Sequence, residues 1–136
     1  MSSTSGWDLT SCMEQLRAFR DERDWAQFHN PKDLAAAIAI EAAELQELFL
    51  WKDMAGVDEV TDSPTLRPRI ESELADVLIY SLYLADRLNI DLAQVTTDKL
   101  ASNGERYDVE GHRGKAVKAA RLSEVDPDGA GAQGNS

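Results

Sequence analysis

Apolar residues recur every three or four positions along most of this chain, which is the period of an α-helix with one buried face. In the second of four such stretches, one stripe contains Leu34, Ile38, Glu41, Leu45 and Leu48. Asn30 and Pro31 precede this stripe and are typical of a helix start, because an asparagine side chain caps free amide groups and proline has no amide N–H to satisfy. The pattern predicts a helix that begins at Pro31 and extends to Trp51.

A first helix is predicted over residues 12–25, and the spacing of Ser11 and Glu14 is that of a capping box at its start. Its inner face is predicted to contain Met13, Leu16 and Phe19. Residues 52–63 combine acidic residues and glycine without an apolar period. This segment is therefore predicted to be a loop.

The third helix is predicted from about Pro68 to Leu88, and apolar side chains cover most of its circumference. A helix of this kind must be covered on several sides. With only about four helices in the chain, we expect a central helix whose far side packs against another subunit. A fourth helix is predicted to begin after the capping residue Asp91 and to end near Asn103.

These predictions describe an all-α protein, and its 136 residues suit one domain. The domain is expected to occupy residues 11–120, with a disordered N-terminus at 1–10 and a disordered tail at 121–136. Apolar runs stay shorter than the ~18 residues of a membrane span, and residues 1–10 lack the basic and apolar regions of a signal peptide. A cytoplasmic protein is expected.

The net charge of −11 argues against broad binding to nucleic acid or to an anionic membrane, since both need a basic surface. A small polyanionic substrate would also be repelled unless bound cations reversed the local charge. Most of the acidic residues are expected to form a solvated surface that keeps the protein soluble.

Two pairs of carboxylates have the same spacing within apolar sequence: Glu41 with Glu44, and Glu73 with Asp76. Residues three positions apart lie on one face of a helix, so two such helices packed side by side could hold four carboxylates around a metal cluster. Without a paired histidine, the ligand set favours Mg²⁺ or Mn²⁺, which prefer oxygen.

Glu41 lies on the apolar stripe itself, whereas Glu44 borders it and Glu47 lies further toward solvent. Burial of an unpaired carboxylate costs free energy, so Glu41 needs a compensating positive charge. A metal ion or an arginine from another helix would supply it, and the sequence leaves both open.

Several other chemistries lack their motifs. Neither His29 nor His112 follows a glutamate by three positions, which argues against a di-iron bundle. The sequence has no Walker-type phosphate loop and no Gly-x-Ser-x-Gly elbow, and Cys12 is its single cysteine. Metal-assisted attack of water on a phosphoryl group remains.

Two further groups of residues fit this chemistry. A slot in which a nucleobase stacks could be formed by Trp25, Phe28, His29, Trp51 and Tyr80. A row that binds phosphate could be formed by Lys99, Asn103 and Arg106, which continue the stripe of the fourth helix. The alternatives are structural: tryptophan in the core, histidine at the surface, and basic residues that interact with a helix dipole.

Four segments in order carry a resemblance to a known family: ERDWAQFH at 22–29, EAAELQELFLW at 41–51, ELADVLIY at 73–80, and residues 99–107. Together they resemble the all-α MazG-like nucleoside triphosphate pyrophosphohydrolases, and within them the dCTP pyrophosphatase branch. The resemblance implies a four-helix MazG-like bundle completed by oligomerisation, as a homodimer or homotetramer. It also implies Mg²⁺-dependent cleavage of dNTP, with dCTP or modified dCTP preferred, to dNMP and pyrophosphate, which removes unwanted nucleotides from the pool.

The same resemblance implies roles for individual residues. The expected Mg²⁺ ligands, with Mn²⁺ as a possible substitute, are Glu41, Glu44, Glu73 and Asp76. Glu44 is expected to orient or deprotonate the attacking water, with Glu41 as a second catalytic residue. Contacts to base and sugar are expected from Trp25, His29, Trp51 and Tyr80, with Trp51 coming from the neighbouring subunit. Phosphate contacts are expected from Lys99, Asn103 and Arg106.

Some positions depart from the family pattern. Leu16 stands where vertebrate dCTP pyrophosphatases have a histidine, and Glu105 lies in a segment that is arginine-rich in them. The base preference is therefore open, and an enzyme of the same fold that acts on dUTP or oxidised purines is one alternative. A non-catalytic helical interaction module, with its acidic pairs in salt bridges between subunits, is another.

Overall fold

The computed structural model describes residues 8–117. Within these residues the chain is helical and contains no β-strand. The helices are α1 Leu9–Glu22, α2 Pro31–Glu47, α3 Met54–Asp62, α4 Arg67–Arg87, α5 Leu92–Arg106 and α6 Val109–His112, with a 3-10 helix at Ala26–Phe28 before α2. The all-α prediction is confirmed. The predicted disorder of 121–136, and of 1–7 within the predicted N-terminal tail, lies outside the described residues.

α1 begins earlier than predicted, so Leu9 and Thr10 belong to this helix and not to a tail. The side chain of Asp8 accepts a hydrogen bond from the Ser11 amide at 2.7 Å, and the Ser11 hydroxyl accepts one from the Asp8 amide at 3.1 Å. The capping box therefore joins Asp8 and Ser11, and the predicted box of Ser11 and Glu14 is wrong. Ser11 occupies the third position of the helix, where its hydroxyl replaces the expected glutamate.

α2 begins at Pro31 as predicted, and the side chain of Asn30 accepts a hydrogen bond from the Asp33 amide at 2.9 Å. The helix ends at Glu47, before the predicted end at Trp51. The chain then continues in turns as far as Trp51, whose φ of 61° is left-handed. This conformation is unfavourable for a residue with a Cβ atom and cannot continue a right-handed helix.

The segment predicted to be a loop instead forms α3. Its start is capped by Asp53, whose side chain accepts a hydrogen bond from the Gly56 amide at 2.9 Å. Val60 is only 2% exposed, and α3 packs against α4. A good cap and the packing of its apolar face therefore stabilise this short helix, in which Met54, Val57 and Val60 recur every three residues.

α4 is the central helix of the first part of the chain, because α1, α2 and α3 all pack against it and α2 makes the largest contact. Its central position was predicted and is confirmed. The buried apolar residues are Leu34, Val60, Leu82, Tyr83 and Ala85. Leu74 on this helix and Leu88 directly after it are exposed.

The described chain divides into two compact units, residues 8–92 and 93–117. The first contains α1 to α4, and the described part of the second contains nearly all of α5 and the short α6. α6 was not predicted; its start is capped by Asp108, whose side chain accepts a hydrogen bond from the Gly111 amide at 3.1 Å. Among residues 8–117, every helix is too short or too polar to cross a membrane.

Candidate functional site

Packing of α2 against α4 brings three acidic side chains together: Glu41 from α2, and Glu73 and Asp76 from α4. One carboxylate oxygen from each lies within 4.8 Å of the others. Oxygens that surround one hard cation at ~2.0 to 2.6 Å have comparable separations. The geometry therefore suits a divalent metal ion.

Glu44 lies close enough to Glu41 to affect its protonation. The carboxyl group of Glu73, which can share a proton with Glu41, raises the pKa of Glu41 to about 7, and burial and the charges of Glu44 and Asp76 add to this effect. Four acidic groups thus crowd one position, and without a cation they cannot all be ionised at little cost. The predicted set of Glu41, Glu44, Glu73 and Asp76 is brought together.

Two oxygens of this cluster have no hydrogen-bond partner within the described residues. They are Oε2 of Glu41 and Oε2 of Glu73, and both atoms are buried. The ion pairs found within residues 8–117 join other groups, so none places an arginine or lysine against Glu41. A buried carboxylate oxygen without a partner is costly, and a bound cation would satisfy it.

His29 follows the 3-10 helix and packs its ring against Tyr83 of α4, with ring centroids 4.6 Å apart. Burial, and to a smaller extent the charge of Arg20, lower the pKa of His29 below its ordinary value. Its Nδ1 atom is buried and accepts or donates no hydrogen bond within the described residues. His29 is thus partly buried, and not the surface residue that the alternative interpretation described.

Trp25 is 45% exposed and meets the ring of Phe19 edge-on at 5.7 Å, while the guanidinium group of Arg23 lies 3.7 Å from the Phe19 ring centroid. Trp51 is 93% exposed, so it is not a core residue of this chain. Tyr80 is half-buried on α4, one turn after Asp76. Aromatic surface is therefore available at the end of α1 and at the end of α2.

A profile of the MazG-like family matches residues 36–122, which include both acidic pairs. The chain belongs to the MazG-like family. The resemblance predicted from the sequence is confirmed, and so is the all-α MazG-like fold that it implied, whereas completion of the bundle by oligomerisation stays a prediction.

Relatives of this MazG-like chain include proteins named dCTP pyrophosphatase 1. Those of Rattus norvegicus and Homo sapiens are 42% and 39% identical to it over 104 residues, which is 76% of this chain. The chain spans only 61% of the length of these two relatives.

A crystal structure of a pyrophosphatase from Archaeoglobus fulgidus resembles this MazG-like chain with a TM-score of 0.69 and 38% sequence identity. The match covers 74% of this chain and 92% of the archaeal one. The similarity therefore extends over nearly the whole archaeal domain.

In the second unit, the predicted phosphate-binding residues have two different environments. Lys99 and Asn103 line an open groove of about 520 Å³ on α5, together with Val95, Thr96 and Leu100. Arg106 is half-buried, and its guanidinium group lies 5.6 Å from the ring centroid of Tyr107. The prediction that this row faces the acidic pairs stays a prediction.

Sequence reasoning missed a group of contacts between α1 and α4. Arg17 and Arg20 both pair with Asp86, at 2.7 and 2.8 Å, and the Tyr83 hydroxyl donates to the Leu16 carbonyl at 2.7 Å. The partners lie more than sixty positions apart in the sequence. The only signal in the sequence was Asp86, a polar residue within an apolar helix, and the sequence does not indicate which residue pairs with it.

Proposed function

We propose that this protein is a metal-dependent nucleoside triphosphate pyrophosphohydrolase. Water attacks the α-phosphorus of a dNTP, the bond from that phosphorus to the bridging oxygen breaks, and pyrophosphate leaves with a dNMP as the other product. The relatives named dCTP pyrophosphatase 1 support this reaction.

One observation carries the proposal: Glu41, Glu73 and Asp76 converge within 4.8 Å while buried oxygens of both glutamates lack hydrogen bonds. A cluster of like charges without a positive partner is expensive to fold. It is favoured where a cation is bound, and an oxygen-only ligand set suits Mg²⁺, with Mn²⁺ as a substitute.

Each acidic residue has a distinct task in this reaction. Glu41, Glu73 and Asp76 would hold Mg²⁺, and Glu44, more exposed and beside Glu41, would complete the ligand set and orient or deprotonate the attacking water. Bound Mg²⁺ would neutralise phosphate charge and lower the pKa of the attacking water. The protein's net charge of −11 would otherwise repel the substrate.

The nucleoside and the phosphates are assigned to other residues. Trp25, His29, Trp51 and Tyr80 would contact the base and sugar, and Trp51, which is 93% exposed, is free to reach the site of another subunit. Lys99, Asn103 and Arg106 would contact the phosphates. We propose dCTP or a modified dCTP as the preferred substrate and removal of unwanted nucleotides as the role.

We also propose that the enzyme is a homodimer or homotetramer. Only five residues of the described chain are buried hydrophobics, whereas large apolar side chains such as Leu74 and Leu78 are 58% and 42% exposed on α4. These two residues lie four positions apart and so share a face of the central helix. A second copy of the chain would cover this apolar face in an interface that resembles a hydrophobic core.

A nucleotide panel tests the proposed reaction. With Mg²⁺ present, pyrophosphate release is expected from dCTP and 5-methyl-dCTP, and less from dUTP and dATP. Glu41→Gln and Asp76→Asn should each reduce the rate by at least about 100-fold without loss of helical content. Glu71→Gln, an exposed change on α4, is the matched control and should retain the rate.

The panel also distinguishes the alternatives. Preference for dUTP or an oxidised purine would keep the reaction and change the substrate. Robust hydrolysis by either acidic-cluster variant would refute the assigned site. If calorimetry detected no Mg²⁺ binding even with a nucleotide present, the protein would instead be assigned as a non-catalytic interaction module.

A further inference from the structure

Tyr83 is one of the most buried side chains in the described chain, with 5% of its surface exposed. Its hydroxyl group donates a 2.7 Å hydrogen bond to the carbonyl oxygen of Leu16 in α1. A buried tyrosine whose hydroxyl is paired in this way is fixed at both ends. The surrounding side chains hold its ring, and the hydrogen bond holds its oxygen against another helix. The ring of Tyr83 is therefore a rigid surface.

The imidazole of His29 lies against this surface, with ring centroids 4.6 Å apart and an angle of 56° between the ring planes. The orientation of a histidine ring is usually determined by a hydrogen bond to one of its nitrogens. In His29, however, the buried Nδ1 atom has no hydrogen-bond partner within residues 8–117. Packing against Tyr83 is then the interaction that determines where the imidazole points.

We propose that Tyr83 is a positioning residue, which acts through His29 and orients the imidazole toward the nucleotide. This inference rests on the proposed function, in which His29 contacts the base or sugar. Tyr83 itself would not touch the substrate. Arg20, which lies near both residues and is held by Asp86 at 2.8 Å, keeps a positive charge close to His29 and so favours its neutral form.

Steady-state kinetics separate this role from a purely structural one. Tyr83→Phe keeps the ring and should change KM for dCTP by less than about 2-fold, whereas Tyr83→Leu should raise KM by about 3- to 10-fold with little change in kcat. Tyr83→Met, whose longer unbranched side chain adapts to the space without a ring, replaces Tyr83→Leu if that variant does not fold. The control is Leu82→Ala: Leu82 is 1% exposed, so this change disturbs the core beside the same helix and keeps the Tyr83 ring.

A double-mutant cycle shows whether Tyr83 acts through His29. If it does, Tyr83→Leu should add almost nothing to the loss already caused by His29→Ala. Losses that multiply, or a KM increase of equal size in Leu82→Ala, would overturn the proposal.

An NMR titration of the imidazole C–H signals gives a readout that needs no activity. The chain has two histidines, so His112 serves as an internal reference. Tyr83→Leu should move the pKa of His29 upward toward its ordinary 6.5, whereas Tyr83→Phe and Leu82→Ala should leave it in place. An unchanged pKa in Tyr83→Leu would overturn the positioning role. If the wild-type protein hydrolysed no nucleotide, the proposed function would fail while this titration still decided the role of Tyr83.

Discussion

Glu41 lies on the face of α2 that packs against α4, where its carboxyl group meets those of Glu73 and Asp76. Its place on the apolar stripe already showed that this carboxyl group would be desolvated. The sequence left open whether an arginine or a metal ion compensates it. In the folded chain the neighbours of Glu41 are other carboxyl groups, which favours the metal ion.

The pH dependence of stability tests this environment. In the folded protein without metal the pKa of Glu41 is about 7, above its ordinary 4.5, so the folded state binds this proton more tightly than the unfolded state. Stability from this group is therefore complete below about pH 4.5 and is lost as pH rises through about 7. Urea denaturation in EDTA should show this fall, which Glu41→Gln should abolish.

Excess Mg²⁺ should offset the same fall, because the ion binds the deprotonated cluster and only in the folded state. Glu71→Gln, which lies outside the cluster, should retain the wild-type dependence. Equal slopes in wild type and Glu41→Gln would contradict the assigned environment.

Trp51 combines a left-handed backbone, with φ of 61°, and a side chain that is 93% exposed. Trp51→Gly and Trp51→Ala both remove the ring, but only glycine relaxes the backbone. The glycine variant should therefore be more stable than the alanine variant by about 1 kcal/mol in urea denaturation.

Both Trp51 variants should raise KM for dCTP by a similar factor, about 5-fold or more, if the ring stacks on the base. Trp51→Phe retains an aromatic face and should lose less. Equal stability of the glycine and alanine variants would mean that the backbone is not strained, and an unchanged KM would remove Trp51 from the substrate site.

At the scale of elements, α1 is attached to the central helix through charged groups. Asp86 of α4 accepts hydrogen bonds from both Arg17 and Arg20, and the side chains of Arg20 and Asp86 are only 15% and 17% exposed. Burial raises the pKa of Asp86, but the two arginines outweigh this effect and hold the pKa below its usual value. The ionised form is thus the one that joins the helices.

Asp86→Ala should lower the free energy of unfolding by roughly 2 kcal/mol, because it leaves a partly buried arginine without its carboxylate. Because the pKa is depressed, this stabilisation is present above about pH 4 and is lost as pH falls further, so wild type and variant should converge in acid. Glu71→Ala breaks the exposed pair with Arg67 and should cost less than about 0.5 kcal/mol. Equal losses in the two variants would refute the assigned role of Asp86.

Local signals predicted most elements of this chain. Asn30 and Pro31 located the start of α2, and the period of apolar residues located α4 to within a residue at each end. α3 was missed although the Asp53 cap and the three-residue spacing of Met54, Val57 and Val60 are local signals, because the acidic residues and Gly56 around them indicated a loop. A helix of nine residues also depends on tertiary packing, here the burial of Val60. α2 was predicted too long because nothing in its apolar period indicates the left-handed turn at Trp51.

At the scale of the whole molecule, more large apolar side chains are exposed than buried among the described residues. The described chain exposes Leu74 and Leu78 on its central helix while burying few large side chains. The predicted subunit contact would cover this face. The cytoplasmic location and the disordered tail stay predictions as well.

Analytical ultracentrifugation tests the predicted assembly. The wild-type protein should sediment as a dimer or tetramer at micromolar concentration, and Leu74→Glu should shift it toward monomer, because a charge would be buried in an apolar contact. Ser72→Glu adds the same charge at another exposed position of α4 and is the matched control. A monomeric wild type would contradict the assembly, and an unaffected Leu74→Glu oligomer would place the contact elsewhere.

The sequence by itself determined the helical class, the starts of α2, α4 and α5 to within a residue, and the two carboxylate pairs, because these depend on groups within about one helical turn. Four segments in order, two of which contain these pairs, were also sufficient to indicate the MazG-like family. The tertiary structure decided what the sequence left open: the meeting of Glu41 with Glu73 and Asp76 without an arginine, the contact of His29 with Tyr83, and the attachment of Arg20 to Asp86. These contacts join residues that are distant along the chain, so they follow from which faces of α1, α2 and α4 pack together.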